Sequence, residues 1–150
     1  MYTIEEFDRY KTKVLKYIIY KKRTEQEIRL KFDKTIEEEI LEDIIEELKE
    51  NNYISDEDYI KRAVNEFIAL KNLSIKEIKC KLFSKGIQSN LIDEYISNNI
   101  DILEEYEKKS AENIVTKKSV NMDENEIKQY LLKKGYKQEN VNIALEALED

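Results

Sequence analysis

The side chains that most often carry out catalysis are scarce in this sequence. It contains no histidine and one cysteine, Cys80. Without an imidazole there is no Ser-His-Asp triad and no common histidine-containing zinc site. A single cysteine forms neither an internal disulfide nor a cysteine-rich metal site. We expect Cys80 to be a small packing residue within a helix.

Carboxylates are abundant, but their spacing does not suit a metal ion. The run Glu37-Glu38-Glu39 is consecutive. Neighbouring side chains on a helix point to different sides, so these three cannot converge on one ion. The sequence also lacks a glycine-rich phosphate loop. It therefore predicts a protein that is not an enzyme and that uses no cofactor or metal.

The charges are distributed unevenly, which indicates binding rather than catalysis. The net charge is −7, yet residues 9–31 sum to +7, residues 61–85 to +5 and residues 37–50 to −7. One interpretation is a set of solvated helix faces with local ion pairs. The other is a cationic surface for a partner. The candidate partner-binding residues are Arg23, Arg29, Lys31, Lys76, Lys79, Lys81, Lys85, Lys133 and Lys134.

Aromatic residues are not expected to interleave regularly with these cations. Most of the tyrosines lie at the spacing of core positions. Tight binding of single-stranded nucleic acid usually needs exposed rings on which bases can stack. We therefore expect contact with single-stranded DNA, if it occurs, to be indirect.

Most of the candidate cations lie in a threefold internal repeat. A Glu-Ile-Arg/Lys signature occurs at 27–29, 77–79 and 126–128, at offsets of 50 and 49 residues. A cap residue precedes each glutamate by three positions, which is the pattern of a capping box. These cap residues are Thr24, Ser74 and Asp123. In the second and third copies, Gly86 and Gly135 follow where a helix should end.

Each copy also contains a helix before and a helix after the signature. The first helices should begin at Thr3, Ser55 and Asp101, and apolar residues recur at spacings of three and four. The sequence has no proline and two glycines, so little interrupts these helices. We predict an all-α fold of three tandem three-helix repeats, residues 1–53, 54–100 and 101–150. The repeats should form one continuous domain, stacked into an elongated, curved array.

The sequence also indicates where the protein works. No run reaches the roughly 18 apolar residues of a membrane span. The first residues lack the basic and apolar regions of a secretion signal. We expect a cytoplasmic monomer with no membrane partner.

Four motifs resemble the RecX family, the regulators of the RecA recombinase. Residues 52–59, NYISDEDY, resemble that family's G-Y-L-D-D-x-x-F/Y entry to its central repeat. Residues 77–87, EIKCKLFSKGI, are similar to its I-x-x-E/K-L-x-x-K-G-I stretch. Residues 131–136 and 23–28 are similar to its L-x-R/K-R/K-G-F/Y and R-x-S/T-x-x-E-L/I motifs. The four motifs occur in the family's order and cover nearly the whole chain.

The resemblance implies both a fold and a function. The fold is three tandem three-helix repeats. The function is non-enzymatic inhibition of RecA: binding to its filament on single-stranded DNA and damping of ATP hydrolysis and strand exchange. That activity belongs to recombination, DNA repair and the SOS response. The alternative is a helical-repeat adaptor for another protein, without a role in DNA repair.

Two departures from the family pattern weaken direct contact with DNA. Asn72-Leu73-Ser74 replaces the usual glycine before the central signature. Several positions that are usually arginine are lysine here, which removes bidentate recognition of phosphate or carboxylate. We therefore expect the RecA filament, rather than the DNA, to be the main partner.

Overall fold

The computed structural model describes residues 1–149, and this range is entirely α-helical outside its turns. The all-α prediction is confirmed. The helices within residues 1–149 are α1 (Ile4–Tyr20), α2 (Glu25–Phe32), α3 (Glu38–Glu50), α4 (Asp56–Leu70), α5 (Ile75–Phe83), α6 (Ser89–Asn98), α7 (Ile100–Lys118), α8 (Glu124–Lys133) and α9 (Gln138–Glu149).

The three predicted capping boxes are confirmed at the starts of α2, α5 and α8. In each, the cap side chain accepts a hydrogen bond from the N3 amide, and the N3 glutamate accepts one from the cap amide. The predicted glycine positions are confirmed as well. Gly86 and Gly135 follow α5 and α8 with φ of +82° and +94°, which is left-handed backbone.

The predicted start of the seventh helix is wrong. The helix α7 begins at Ile100 rather than after a cap at Asp101, and its N-cap, Asn99, makes no side-chain cap bond. The Asn99 Nδ2 instead donates to the Tyr95 carbonyl oxygen at 2.8 Å, at the end of α6. Because one residue separates the two helices, the chain leaves no room for a separate cap before Asp101.

The prediction that Cys80 packs in the core is also wrong. The thiol is exposed on α5. Cys80 lies two positions after the buried Ile78 and two before the buried Leu82. Two helical residues rotate a side chain by about 200°, so Cys80 faces away from both.

The buried core consists of three clusters that follow one another along the chain. The first joins α1 to α3. The second joins α4 to α6 and also includes Leu103 and Tyr106 of α7. The third begins at Ala111, so α7 contributes to two clusters. The precise repeat limits therefore stay a prediction.

The amount of exposed surface is consistent with stacking in a row. The accessible surface is 9943 Å² for a chain of 18.0 kDa. A compact monomer of that mass exposes about 8000 Å². Units arranged in a row keep more surface than units packed around one centre. Within residues 1–149, no helix is long and apolar enough to cross a bilayer.

Candidate partner-binding surface

The start of each of the first two middle helices is bonded to the end of the next middle helix. Thr24 Oγ1 donates to the Lys85 carbonyl oxygen at 2.8 Å, and Ser74 Oγ donates to the Lys134 carbonyl oxygen at 2.8 Å. Thr24 and Ser74 are fully buried. Both lysines are predicted binding residues, and the backbone of each lies at one of these junctions.

A carboxylate from the following helices completes each junction. The Glu25 amide donates to Asp56 Oδ1 at 3.0 Å, and the Ile75 amide donates to Glu107 Oε1 at 2.9 Å. The first amides of a helix lack internal partners and favour negative charge. Burial raises the pKa of Asp56 despite this bond. The junctions thus fix α2 against α5, and α5 against α8.

The two glycines allow the middle helices to approach closely. A Cβ atom at Gly86 would lie 2.4 Å from Gln26 Cβ, and one at Gly135 would lie 2.8 Å from Lys76 Cβ. Distances below 3.0 Å are steric overlaps. Lys76 is exposed, as a binding residue should be. Its aliphatic stem nevertheless packs over Gly135 and helps to form the junction.

Among the predicted binding residues, Arg29 forms ion pairs with two glutamates of its own repeat. Its Nε donates to Glu25 Oε2 at 3.1 Å, and its Nη1 and Nη2 donate to the two carboxylate oxygens of Glu42. The bond to Glu42 raises the pKa of Arg29, and the same bond lowers the pKa of Glu42. For Arg29 the structure therefore favours local ion pairing over a partner contact.

Two of the predicted lysines also have acidic neighbours. Lys79 Nζ lies 2.7 Å from Asp93 Oδ1, and Lys85 Nζ lies 3.9 Å from Glu27 Oε2. Lys79, Asp93 and Lys85 are exposed. Exposed ion pairs contribute about 0–1 kcal/mol, so these lysines could exchange their acidic neighbours for a partner at little cost. The remaining predicted lysines are exposed and form no ion pair within residues 1–149: Lys31, Lys76, Lys81, Lys133 and Lys134.

Several cations lie over aromatic rings, although the pairs do not form a regular series along the chain. Arg23 Cζ lies 4.1 Å from the centre of the Tyr17 ring, and Lys31 Nζ lies 5.7 Å from it. Tyr17 is half-buried, and its ring makes an edge contact with Phe32. Later in the chain, Lys71 lies over the Phe67 ring, and Lys118 and Lys134 lie over the Tyr130 ring.

A groove between α4 and α5 brings several of these residues together. It has a volume of about 240 Å³, and we call it the α4–α5 groove. Lys81 and Lys85 are predicted binding residues, whereas Lys71 and the rings of Tyr59 and Phe67 were not predicted. The residues that line the groove are Tyr59, Ala63, Phe67, Lys71, Lys81, Leu82, Ser84 and Lys85.

Arg23 lies near the same region. Burial raises the pKa of Tyr59, and the positive charge of Arg23 opposes this rise. The Arg23 Nε is buried and makes no hydrogen bond within residues 1–149. The nine predicted cations do not therefore form one cluster: two line the groove, Arg23 lies near Tyr59, and others hold junctions or local ion pairs.

The arrangement offers charged and aromatic surface chemistry. Across residues 1–149, no three histidine, cysteine, aspartate or glutamate side chains are grouped to hold a metal ion. What the surface does present is ammonium groups beside half-buried rings. Such a surface suits carboxylates or phosphates on a partner.

Comparisons with known proteins show which proteins resemble this chain. No family model matches the chain. The regulatory protein RecX of Staphylococcus epidermidis is 29% identical over 99% of this chain and 58% of its own length. The regulatory protein RecX of Staphylococcus aureus is 28% identical over 99% of this chain and 57% of its own length. A shorter match, to RecX of Finegoldia magna, is 37% identical over 51% of this chain and 38% of its own. The chain thus spans less than two thirds of these relatives.

Two solved structures share the fold. A crystal structure of RecX from Lactobacillus salivarius has a TM-score of 0.82 over 98% of this chain and 99% of that chain, at 23% identity. A second, described as regulatory protein RecX, has a TM-score of 0.79 over 92% of this chain and 72% of that one. The structures support the fold, and the relatives confirm the resemblance that the four motifs indicated.

Proposed function

We propose that this chain belongs to the RecX family and is a non-enzymatic regulator of the RecA recombinase. The observation that carries the proposal is similarity to proteins named regulatory protein RecX along 99% of the chain. Because the chain spans 58% of the first relative, the proposal concerns the part the two proteins share.

In its finer form, the proposal is that the chain binds the RecA filament on single-stranded DNA and inhibits it. ATP hydrolysis and strand exchange would both be damped, in recombination, DNA repair and the SOS response. The support is the resemblance of the motifs together with the row of repeats, whose long surface suits a filament. A single compact site would need no such surface.

The cationic residues supply the contact surface in this proposal. Lys31, Lys81 and Lys134 are exposed and lie on, or just after, successive middle helices. Their summed field attracts an acidic surface and speeds the encounter with it. The acidic helix α3 faces solvent with Glu38, Glu46 and Glu50 and would repel the same surface.

Direct contact with DNA is the weaker part of the proposal. The faces of Tyr17 and Phe67 already carry cations. A base would have to displace them in order to stack. Most of the exposed cations are lysines, which bind phosphate as point charges rather than through a bidentate fork. We therefore propose that RecA, not DNA, provides most of the affinity.

Co-sedimentation with RecA filaments tests this function. RecA is assembled on single-stranded DNA with a slowly hydrolysed ATP analogue, and the chain is added to filaments or to bare DNA. We expect it to pellet with the filaments and to stay in solution with bare DNA. Equal amounts in the two pellets, or none with filaments, would contradict the proposal. The adaptor alternative predicts none with filaments and capture of a different protein from cell extract.

A further inference from the structure

We propose that the α4–α5 groove binds an acidic peptide segment that inserts an apolar side chain between three lysines. This inference describes what the regulatory surface binds. It rests on the proposed function only for the identity of the protein that carries the acidic segment. It concerns the chemistry of the bound segment, and this chemistry can be tested without RecA.

The floor of the groove is apolar. Leu82 is 1% exposed, and Ala63 and the rings of Tyr59 and Phe67 are half-buried. A volume of about 240 Å³ has room for a side chain or two, not for a folded element. An apolar side chain that enters the groove would remove its own surface and that of the two rings from water. The floor therefore favours an extended segment with an apolar anchor.

The rim of the groove is cationic and holds no carboxylate. Lys71, Lys81 and Lys85 line it, and none of the lining residues is acidic. The carboxylate nearest to a rim ammonium is Glu27, at 3.9 Å from Lys85 Nζ. Glu27 already accepts the Thr24 amide in the capping box at 3.0 Å. The three ammonium groups are thus available to carboxylates on either side of an apolar anchor.

The same geometry disfavours a nucleic acid as the occupant. Lys71 Nζ lies 5.9 Å from the centre of the Phe67 ring and covers the face on which a base would stack. The chain carries a net charge of −7, which opposes a long polyanion more than a short acidic segment. When an acidic peptide binds, Lys71 can stay over the Phe67 ring while its ammonium group pairs with a carboxylate of the peptide.

The arrangement recurs one repeat earlier, at the same positions relative to the helix cap. In the second repeat, the ring and two lysines lie seven residues before, three before and seven after Ser74. The first repeat has a ring and two lysines at the same offsets from Thr24, namely Tyr17, Lys21 and Lys31. Lys31 Nζ lies 5.7 Å from the centre of the Tyr17 ring. The recurrence of these residue types is confined to the first two repeats, because the third has Thr116, Val120 and Tyr130 at the same offsets from Asp123.

The test uses a fluorescent octapeptide of aspartate and glutamate with a central Leu-Phe pair, and binding is measured by anisotropy. A second peptide has Ser-Ser at its centre, and a deoxythymidine oligonucleotide of the same charge is the third probe. The groove variant is K71Q/K81Q/K85Q. The matched control is K16Q/K34Q/K117Q, whose exposed lysines do not line the groove. Circular dichroism checks that both variants stay helical.

We expect the Leu-Phe peptide to bind wild type more tightly than the Ser-Ser peptide. The groove variant should lose about tenfold in affinity and the control less than about twofold. Equal binding of the two peptides, or equal losses in the two variants, would overturn the inference. Displacement of the peptide by the oligonucleotide at lower concentration would assign the groove to nucleic acid instead.

The two proposals fail separately. If wild type pellets with RecA filaments but does not bind the Leu-Phe peptide, the groove inference is wrong and the regulatory function stands. If the peptide binds and filaments do not retain the chain, the groove inference stands for another acidic partner. The RecA function is then the part that is contradicted.

Discussion

Ser74 donates its hydroxyl proton to the backbone carbonyl oxygen of Lys134, 60 residues along the chain, at a distance of 2.8 Å. The same oxygen of Ser74 accepts the amide of Glu77 at 3.0 Å, which closes the capping box of α5. One buried side chain thus starts a helix and holds the end of another. Thr24 does the same for Lys85 in the preceding repeat.

Replacing Ser74 with alanine should therefore cost more than the loss of an ordinary helix cap. The Glu77 amide loses its acceptor, which costs about 0.5–2 kcal/mol. The Lys134 carbonyl, at a part-buried hydrogen bond, loses a donor, which adds about 1 kcal/mol. We expect Ser74→Ala to lower the free energy of unfolding by about 2 kcal/mol, measured by urea denaturation.

The matched control is Ser97→Ala. Ser97 is exposed within α6 and makes no side-chain hydrogen bond in the part of the chain that the structure describes. Its loss should change the free energy of unfolding by less than about 0.5 kcal/mol. If the two variants lose the same stability, the Ser74 hydroxyl does not hold the junction.

Glu107 should be the second residue on which the repeat junctions depend. Its side chain is 0% exposed, and it accepts hydrogen bonds from the Ile75 amide at 2.9 Å and from Asn140 Nδ2. Glu107→Ala leaves these buried donors unpaired and should destabilise the fold by about 3 kcal/mol.

Glu105→Ala is the comparison for Glu107→Ala, because the Glu105 side chain is 79% exposed and pairs loosely with Lys108 at 3.5 Å. An exposed pair of this kind contributes about 0–1 kcal/mol. Thermal denaturation of the two variants gives the difference. A melting temperature for Glu107→Ala as high as that for Glu105→Ala would show that the buried carboxylate is dispensable.

The ion pair between Arg29 and Glu42 should make stability depend on acidic pH. The hydrogen bond from Arg29 holds the pKa of Glu42 below its ordinary value. A carboxyl whose pKa is lowered in the folded state stabilises the protein above its unfolded pKa of about 4.3. That contribution disappears as the pH falls through the folded pKa. Arg29 stays charged throughout this range.

Glu42→Gln should therefore be less stable than wild type at pH 7, by up to about 1 kcal/mol because the pair is half-exposed. The difference should shrink towards zero by about pH 3. Urea midpoints at pH 7, 5 and 3 measure it, with Glu46→Gln as the control on the same helix. A Glu42→Gln deficit that is the same at all three pH values would exclude this ion pair as its cause.

The local features of the fold could be predicted from sequence because they depend on residues close together in the chain. A capping box needs a cap residue and a glutamate three positions later, and a left-handed helix end needs glycine. Asp101 matched the first pattern but was not used. The single residue between α6 and α7, Asn99, instead donates its side-chain amide to the Tyr95 carbonyl oxygen at the end of α6, and the pattern at Asp101 does not reveal this bond.

The candidate surface could be predicted only in part. The excess of cations was visible, and Lys81 and Lys85 do line the groove. Periodicity could not separate a half-buried ring such as Phe67 from a core residue, because both occur at the same spacing. Its position seven residues before the cap, shared with Tyr17, was the signal that could have identified it. The pairing of Arg29 with Glu42 depends on how α2 packs against α3, which spacing alone does not give.

The steady-state rate of ATP hydrolysis by RecA on single-stranded DNA, titrated with this chain, tests the central claim most directly. The proposal predicts that substoichiometric wild type lowers the rate and that added salt weakens the effect, because the Debye length falls from about 10 Å at 0.1 M to about 3 Å at 1 M. The variant K71E/K81E/K85E should lower the rate far less, and K16E/K34E/K117E should act like wild type. A rate that wild type leaves unchanged even in molar excess over RecA would contradict the account.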